Sequence, residues 1–299
     1  MKKVFLTINC KGGLGNQLFQ FIVGYVLAKK NKINLRINSY DRQFELHRFP
    51  EIYKLCISKN NNYKFFAKIY LHLYPKFYGT LKILGIYKLI KFFFLDKNKE
   101  KFESSPFVFN KDLLKKKIVK NISITGYFQS EKYFIHYKKI ILKLLRFPKT
   151  NNILLQNYLG LIKNKNSVAI HIRRGDYWNN PKVRYFHGIL GKDYYKKSIS
   201  YVNQRVKNPL FFIFSDDINL VKNTFFFKNK KYIFIDTKSS FSDLYLMSNC
   251  KHFIIANSTF SWWGAWLSKN KHKIVCVPKK WVRAKVPTPD IIPESWIKI

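Results

Sequence analysis

The sequence predicts an α/β protein built from two doubly wound, Rossmann-like domains facing a cleft. Three observations carry that expectation. After Pro148, short β-rich runs alternate with helical patterns, as in a parallel sheet covered by helices on both faces. The chain opens with a strand, a glycine-rich turn and a helix, the same theme in its first unit. Its 299 residues are long for one core and sufficient for two. The division falls at 1–150 for the N-terminal domain and 151–299 for the C-terminal one.

The opening run KVFLTI is a strand, KGGLG a turn, and NQLFQFIVGYVLAKKN a helix on its apolar spacing. From Asn60 to Lys120 the chain is dense in aromatics and lysine and poor in glycine, with a spacing that favours helices broken at Pro75 and Pro106. ISITGYFQS, from Ile122 to Ser130, is a strand running into a turn, and YFIHYKKIILKLLRF is a helix. KTNNILLQNYLGLIKNKN bridges to the second half. There SVAIHI, LFFIFS, YIFID, HFIIAN and KIVCVP are strands. The helices between them are YYKKSISYVNQRV, DINLVKNTF, SFSDLYLMSNC and TFSWWGAWLSKN.

Composition limits partners and compartment. A hydrophobic fraction of 47% supplies large cores, and 56 Lys+Arg against 16 Asp+Glu give a formal charge of +40, a field that favours anionic partners. Nucleic acid is the weaker of these, because there is no zinc-finger spacing and no basic helix followed by heptads. An anionic membrane surface better matches the interleaved basic and aromatic residues from Tyr63 to Leu95. Solvated lysines in a lysine-rich composition account for much of the same excess. Lys82, Lys88 and Lys91 interrupt that stretch, short of the roughly 20 apolar residues of a span. With no secretory signal, the expectation is a cytoplasmic protein, peripheral on the inner face of the membrane. Cys10, Cys56, Cys250 and Cys276 form no CxxC pair and are expected as buried free thiols.

In open α/β sheets, ligands bind beyond the carboxyl ends of the strands. Three polar clusters stand at such ends: HIRRGD after SVAI, SDD (Ser215 to Asp217) after LFFIF, and NSTFS (Asn257 to Ser261) after HFIIA. Arg173 and Arg174 have the planar fork that pairs with a diphosphate. Successive residues point to opposite faces, so one reaches the ligand while the other pairs with Asp176 or packs; Arg173 is preferred for the ligand. The first-turn amides after Asn257 could cradle phosphate, with Ser258 or Thr259 capping the helix. Trp262, Trp263 and Trp266 lie at helical spacing and read as core more than as a sugar platform. The GGLGNQ loop, with Gly15, Asn16 and Gln17, fits neither standard phosphate-loop pattern, though a first strand-to-helix turn would face the cleft. No Asp-x-Asp, HExxH or paired Cys/His set is present, so no metal or other cofactor is expected.

As a set, GGLGNQLFQF, HIRRGDY, HGILGKDYY, DLYLMSNCKHFIIANSTFSWWGAWL and the closing DIIPESWIKI closely resemble the bacterial α-1,2-fucosyltransferases of glycosyltransferase family 11. The resemblance implies a two-domain GT-B architecture, GDP-fucose as donor, and inverting, metal-independent transfer to the 2-hydroxyl of a terminal galactoside in a lipopolysaccharide or capsule precursor. It also implies roles. Arg173 would hold the β-phosphate, supported by His171, Arg174 and Asp176. Asp243 would lie near the guanine, and Asn257, Ser258 and Thr259 would contact the donor. Asn16, flanked by Gly15 and Gln17, would approach the fucose or the acceptor. The resemblance does not settle the general base: Asp176 and His187 are the candidates, with Asp176 preferred and His187 on the acceptor side. Acceptor specificity would reside between Asn60 and Lys120. The competing reading is a basic nucleic-acid- or glycan-binding α/β protein without catalysis.

Overall fold

The computed structural model describes residues 4–39, 45–52, 99–101, 105–227 and 229–299. The basic, aromatic stretch from Tyr63 to Leu95, with Pro75 and Cys56, lies outside the described residues. The chain divides into two compact units, Met1–Pro148 and Lys149–Ile299.

In the first unit, β1 (Phe5–Cys10) leads through Gly12 and Gly13 into α1 (Leu14–Lys30), then β2 (Asn34–Ser39), β3 (Lys99–Lys101), α2 (Lys111–Lys115), β4 (Ile122–Thr125) and α3 (Lys138–Leu144). The sheet order is β2-β1-β4-β3, with every pair parallel. Leu18, Phe19, Phe21, Ile22, Val26 and Leu27 of α1 are fully buried. A helix apolar on most of its circumference belongs inside the core rather than over it. Gly12 has φ +77°, a left-handed turn that other residues rarely adopt.

Two expectations change here. The middle region, read as helical, contributes an outer strand at Lys99–Lys101 that pairs with β4 at Ser123–Thr125. An edge strand needs no apolar alternation, so its sequence does not announce it. The helix expected over YFIHYKKIILKLLRF is reduced to α3, preceded by two single 3₁₀ turns at Glu131–Tyr133 and Ile135–Tyr137.

The second unit runs α4 (Ile153–Asn164), β5 (Asn166–Ile172), α5 (Gly175–Asn179), α6 (Pro181–His187), α7 (Lys192–Asn203), β6 (Pro209–Ser215) and α8 (Ile218–Thr224). It continues through β7 (Tyr232–Phe234), α9 (Ser240–Asn249), β8 (His252–Ile254), α10 (Thr259–Leu267), β9 (Val275–Val277) and β10 (Ile297–Lys298). The all-parallel order β10-β9-β8-β5-β6-β7 is, counted within this unit, the 3-2-1-4-5-6 order of dinucleotide-binding folds. The chain reverses its direction of winding between β5 and β8. In open α/β sheets such a switch point, beyond the strands' carboxyl ends, is where ligands generally bind.

The second core gathers Val168, Ile170, Phe211, Ile213 and Ile254 from the strands with Tyr195, Ile199 and Val202 from α7. Trp262, Trp263 and Trp266 are buried, and the Trp262 indole N–H donates to Ile291 O at 2.7 Å, which fixes these rings as core. Cys10, Cys250 and Cys276 are buried free thiols.

Candidate functional site

The switch point is bounded by the residues that leave β5 and β8. Strand β5 pairs with β6 so that His171 lies opposite Phe214 and Ile172 opposite Ser215. The next residues, Arg173 and Asp216, therefore emerge side by side. Arg173 Nη1 sits 3.2 Å from Asp216 Oδ2, and Nη2 sits 2.6 Å from Asp176 Oδ1. The Asp216 carboxylate also accepts the Arg174 backbone N–H through Oδ1 at 2.8 Å. Gly175 passes so close that a Cβ there would overlap the same carboxylate. The Arg173 side chain keeps 28% of its surface exposed, so the pairs hold the guanidinium in place without enclosing it. Its centre also stands 5.4 Å from the Tyr177 ring.

Arg174, expected among the donor-binding residues, faces the other way. Its Nη1 donates to Arg173 O at 2.8 Å and its Nη2 to Leu190 O at 3.1 Å, while the guanidinium packs over Phe225. The side chain is buried, which lowers its pKa. Of the two arginines, Arg173 is on the rim and Arg174 is structural, as alternation of facing requires. His171 is also internal, 3% exposed. Burial first, and the Arg173 charge second, push its pKa down to about 3, so the ring is neutral. Its buried Nδ1 finds no hydrogen-bond partner among the described residues.

Helices α5 and α6 fold back over the switch point. Tyr177 donates its hydroxyl to Asn257 O at 3.0 Å, and Asn257 Nδ2 donates to His187 O at 2.8 Å. Asn257, three residues beyond β8, thus ties down the chain that carries Arg173. His187 stacks on Tyr177, with ring centroids 4.7 Å apart, and its pKa is lowered by burial, opposed by Asp176. Ser258 occupies the N-cap of α10 but makes no side-chain capping hydrogen bond, so the capping role expected of it is not realised. Thr259 is the first residue of the helix proper. The α10 start therefore follows directly on the Asn257 tie, at the switch point beside the β5 end.

Asp243 sits in the first turn of α9. Thr237 Oγ1 donates to its carboxylate at 2.7 Å, yet burial dominates and, with Asp236 nearby, raises its pKa to about 6.

The loop of the first unit has its own order. Asn16 Oδ1 accepts from Gln129 Nε2 at 2.9 Å. Gln17 is buried, donating to Gly12 O at 2.8 Å and accepting the Glu45 backbone N–H at 3.0 Å. Gln17 therefore braces the loop. Gly15 is buried in the first turn of α1, whose N-cap Gly13 offers no side-chain cap.

Sequence reasoning gives Asp216 no role beyond membership of a strand-end cluster, and gives Gly175 and Tyr177 none. SDD at a strand end was the available signal for Asp216; the glycine after two arginines was the signal for Gly175. Among the described residues, no group of three His, Cys, Asp or Glu side chains is arranged to hold a metal ion. No helix among them is long and apolar enough to cross a membrane.

Comparison with known proteins fits this geometry. The chain is 33% identical over 294 residues to an alpha-1,2-colitosyltransferase of Escherichia coli, covering 96% of both chains. It is also 33% identical over 308 residues to the O-antigen biosynthesis glycosyltransferase WbnK of Escherichia coli, covering 96% of this chain and 98% of that one. A galactoside 2-alpha-L-fucosyltransferase of Caenorhabditis elegans is 29% identical over 188 residues, 58% of this chain and 51% of the other. Among solved structures, POFUT1 in complex with GDP-fucose aligns at a TM-score of 0.51 and 14% identity, covering 92% of this chain and 98% of that one. That likeness is one of fold, α/β units of the GT-B type. The model of glycosyl transferase family 11 matches residues 5–299, from β1 through the switch-point residues to the last strand, and the chain therefore belongs to that family of glycosyltransferases.

Proposed function

We propose that the protein transfers L-fucose from GDP-β-L-fucose, with inversion and without a metal ion, to the 2-hydroxyl of a terminal galactoside in a surface-glycan precursor. The observation that carries this reading is the partly exposed Arg173 guanidinium, held by Asp176 and Asp216 at the switch point of a dinucleotide-type sheet. In the reaction the acceptor oxygen forms a bond to the anomeric carbon as the bond from that carbon to the β-phosphate oxygen breaks. GDP departs and the hydroxyl proton passes to a base. Arg173 meets the charge that grows on the leaving phosphate, a contribution of about 3 to 4 kcal/mol per donor at comparable sites. The amides at the start of α10, with Ser258 and Thr259, contact the same diphosphate. Asp243 accepts from the guanine edge. Asp176 takes the acceptor proton, with His187 as the alternative base. Asn16 has the sugar or the acceptor as its partner.

A second donor is favoured by one finding, the 33% identity to an alpha-1,2-colitosyltransferase over nearly the whole chain. Colitose is fucose without its 3-hydroxyl, so the same leaving-group chemistry serves both. The test is GDP release from GDP-fucose and GDP-colitose with EDTA present, across a panel of β-galactosides, beside Arg173→Ala. Acceptor-dependent, EDTA-resistant release that the variant lacks is the expected result, and the faster donor names the sugar. No release from either donor, with neither raising the melting temperature, would overturn the reading.

A further inference from the structure

The central strands of the first sheet, β1 and β4, are parallel and in a register that pairs Ile8 with Ile124, so the loops that follow them emerge side by side. In open α/β sheets that is the end of the strands where ligands bind. Here the strand ends are polar. Asn9, 5% exposed, donates from Nδ2 to Ser123 Oγ at 2.8 Å and to Thr125 Oγ1 at 2.9 Å, and its Oδ1 accepts from Asn38 Nδ2 at 2.9 Å. Beyond it the two loops are joined by the bond from Gln129 Nε2 to Asn16 Oδ1, and Lys11 Nζ stands 4.8 Å from the centre of the Tyr127 ring.

Two features set this region apart from a purely structural network. Gln129 is 6% exposed, and among the described residues no donor reaches its Oε1. An acceptor withdrawn from solvent and unused by the protein is a position for a ligand's donor. Phe128, between Tyr127 and Gln129, has φ +52°, a left-handed backbone that a bulky residue rarely adopts. Its ring is fully buried and meets Tyr133 edge-on at 5.9 Å, which anchors the turn. Strain of this kind persists where the surrounding structure holds it, and it concentrates at binding sites.

We propose that Tyr127 and Gln129 form a subsite for the acceptor sugar, carried by the first unit. The inference rests on the transferase reading and names residues that choose its acceptor. Asn16, Thr125, Tyr127 and Gln129 supply amides, hydroxyls and an aromatic face, and Lys11 adds a single charge. That set matches a neutral, hydroxyl-rich ligand; a phosphate is better served by several cations or a forked guanidinium. On a β-galactoside the axial 4-hydroxyl leaves the C–H groups of carbons 3, 4 and 5 together on the opposite face. That face lies on the Tyr127 ring, and a sugar hydroxyl donates to Gln129 Oε1.

The test measures acceptor and donor separately. Saturation-transfer NMR, irradiating aromatic protons, is run on the full-length protein with lactose and GDP. Protons on carbons 3, 4 and 5 of the galactose ring should receive more saturation than those of the glucose ring. Tyr127→Ala should erase that pattern and weaken lactose binding by about tenfold, while Tyr127→Phe stays within about twofold of the parent. Gln129→Met, close in volume but without the amide, should also lose about tenfold. Tyr185→Ala, which removes an exposed aromatic from the second unit, should change nothing. GDP-fucose should raise the melting temperature of parent and variants alike, which shows that each is folded. A parent that binds GDP-fucose but not lactose would overturn the proposal and leave the transferase reading in place. So would even saturation of both rings, or parent-like lactose binding by Tyr127→Ala. A parent that binds neither lactose nor GDP-fucose would overturn both.

Discussion

Arg173 Nη1 lies 3.2 Å from Asp216 Oδ2, and the other oxygen of the same carboxylate receives the backbone N–H of Arg174. One acid just past the end of β6 thus holds both the exposed guanidinium and the chain direction that turns its neighbour inward. The link spans two adjacent strands, so it depends on the register of β5 with β6 rather than on any local sequence.

Asp216→Asn tests that link. The amide still accepts the Arg174 N–H, but the second charge on Arg173 is gone, leaving Asp176 alone to orient it. Turnover should fall by about 10- to 100-fold while the melting temperature stays within a few degrees of the parent, because the lost pair is partly exposed. An unchanged turnover number would show that Asp216 does not position Arg173.

Gly175→Ala acts on the same carboxylate by volume. The added methyl overlaps Asp216, so one of the two must shift. Overpacking of this kind costs about 1 to 3 kcal/mol, and here the shift also displaces a partner of Arg173. Thermal denaturation should show the stability loss and a GDP-release assay the activity loss together. Asp216→Ala in the same chain should relieve the overlap and recover part of the stability, but not the activity.

Much of this arrangement is legible in the sequence. The apolar runs ending at His171, Ser215 and Asn257 mark strand ends, and the rule for open α/β sheets gathers their polar residues on one rim. Alternation also said that only one of Arg173 and Arg174 reaches the ligand. Which of them stays on the exposed rim is decided by partners distant in sequence, Asp216 for one and Leu190 O for the other. The tie from Tyr177 through Asn257 to His187 was invisible for the same reason: it joins residues 70 and 80 positions apart. Strand β3 departs from the helical expectation because KEK at a sheet edge carries no apolar alternation. Residue type alone suggests Ser258 as a cap, and the geometry does not use it so.

The two arginines should fail in opposite ways when each is changed to lysine. Lys at 174 cannot fork to two carbonyls, and its desolvated ammonium loses the stack on Phe225. Arg174→Lys should lower the melting temperature clearly, yet keep donor KM within about threefold at a temperature where it is folded. Arg173→Lys should leave the melting temperature alone and cut kcat by about 100-fold. The reverse pattern would reassign the rim position.

The buried His171 gives the stability a pH dependence of known sign. Its folded pKa of about 3 lies below the ordinary value of 6.5, so between those limits the unfolded chain binds a proton that the folded chain refuses. Stability from this group is complete above pH 6.5 and declines as pH falls toward 3. His187 and His252, also lowered by burial, add slopes of the same sign. His171→Asn should therefore flatten the fall in melting temperature between pH 6.5 and pH 4 without abolishing it. A parallel profile would show that the ring is accessible to protons in the folded state.

Asp243 has the opposite sign, and it separates stability from ligand binding. Its folded pKa of about 6 lies above the ordinary 3.8 because burial disfavours the carboxylate and Asp236 adds repulsion. The ionised group therefore costs stability above pH 6, and the cost is relieved as pH falls through 6 toward 3.8. Asp243→Asn should raise the melting temperature of the ligand-free protein at pH 7.5, with the gap closing by about pH 4. In the proposed donor complex the same carboxylate receives two N–H groups from the guanine edge, and an asparagine offers one acceptor and one opposing N–H. The variant should then show a smaller melting-temperature rise with GDP-fucose, about tenfold weaker binding, at the pH where it is more stable alone. In the parent, donor affinity should weaken as pH falls below 6, following protonation of Asp243. A more stable variant that binds GDP as tightly as the parent would remove Asp243 from the donor site and leave its raised pKa as a cost with no ligand to offset it.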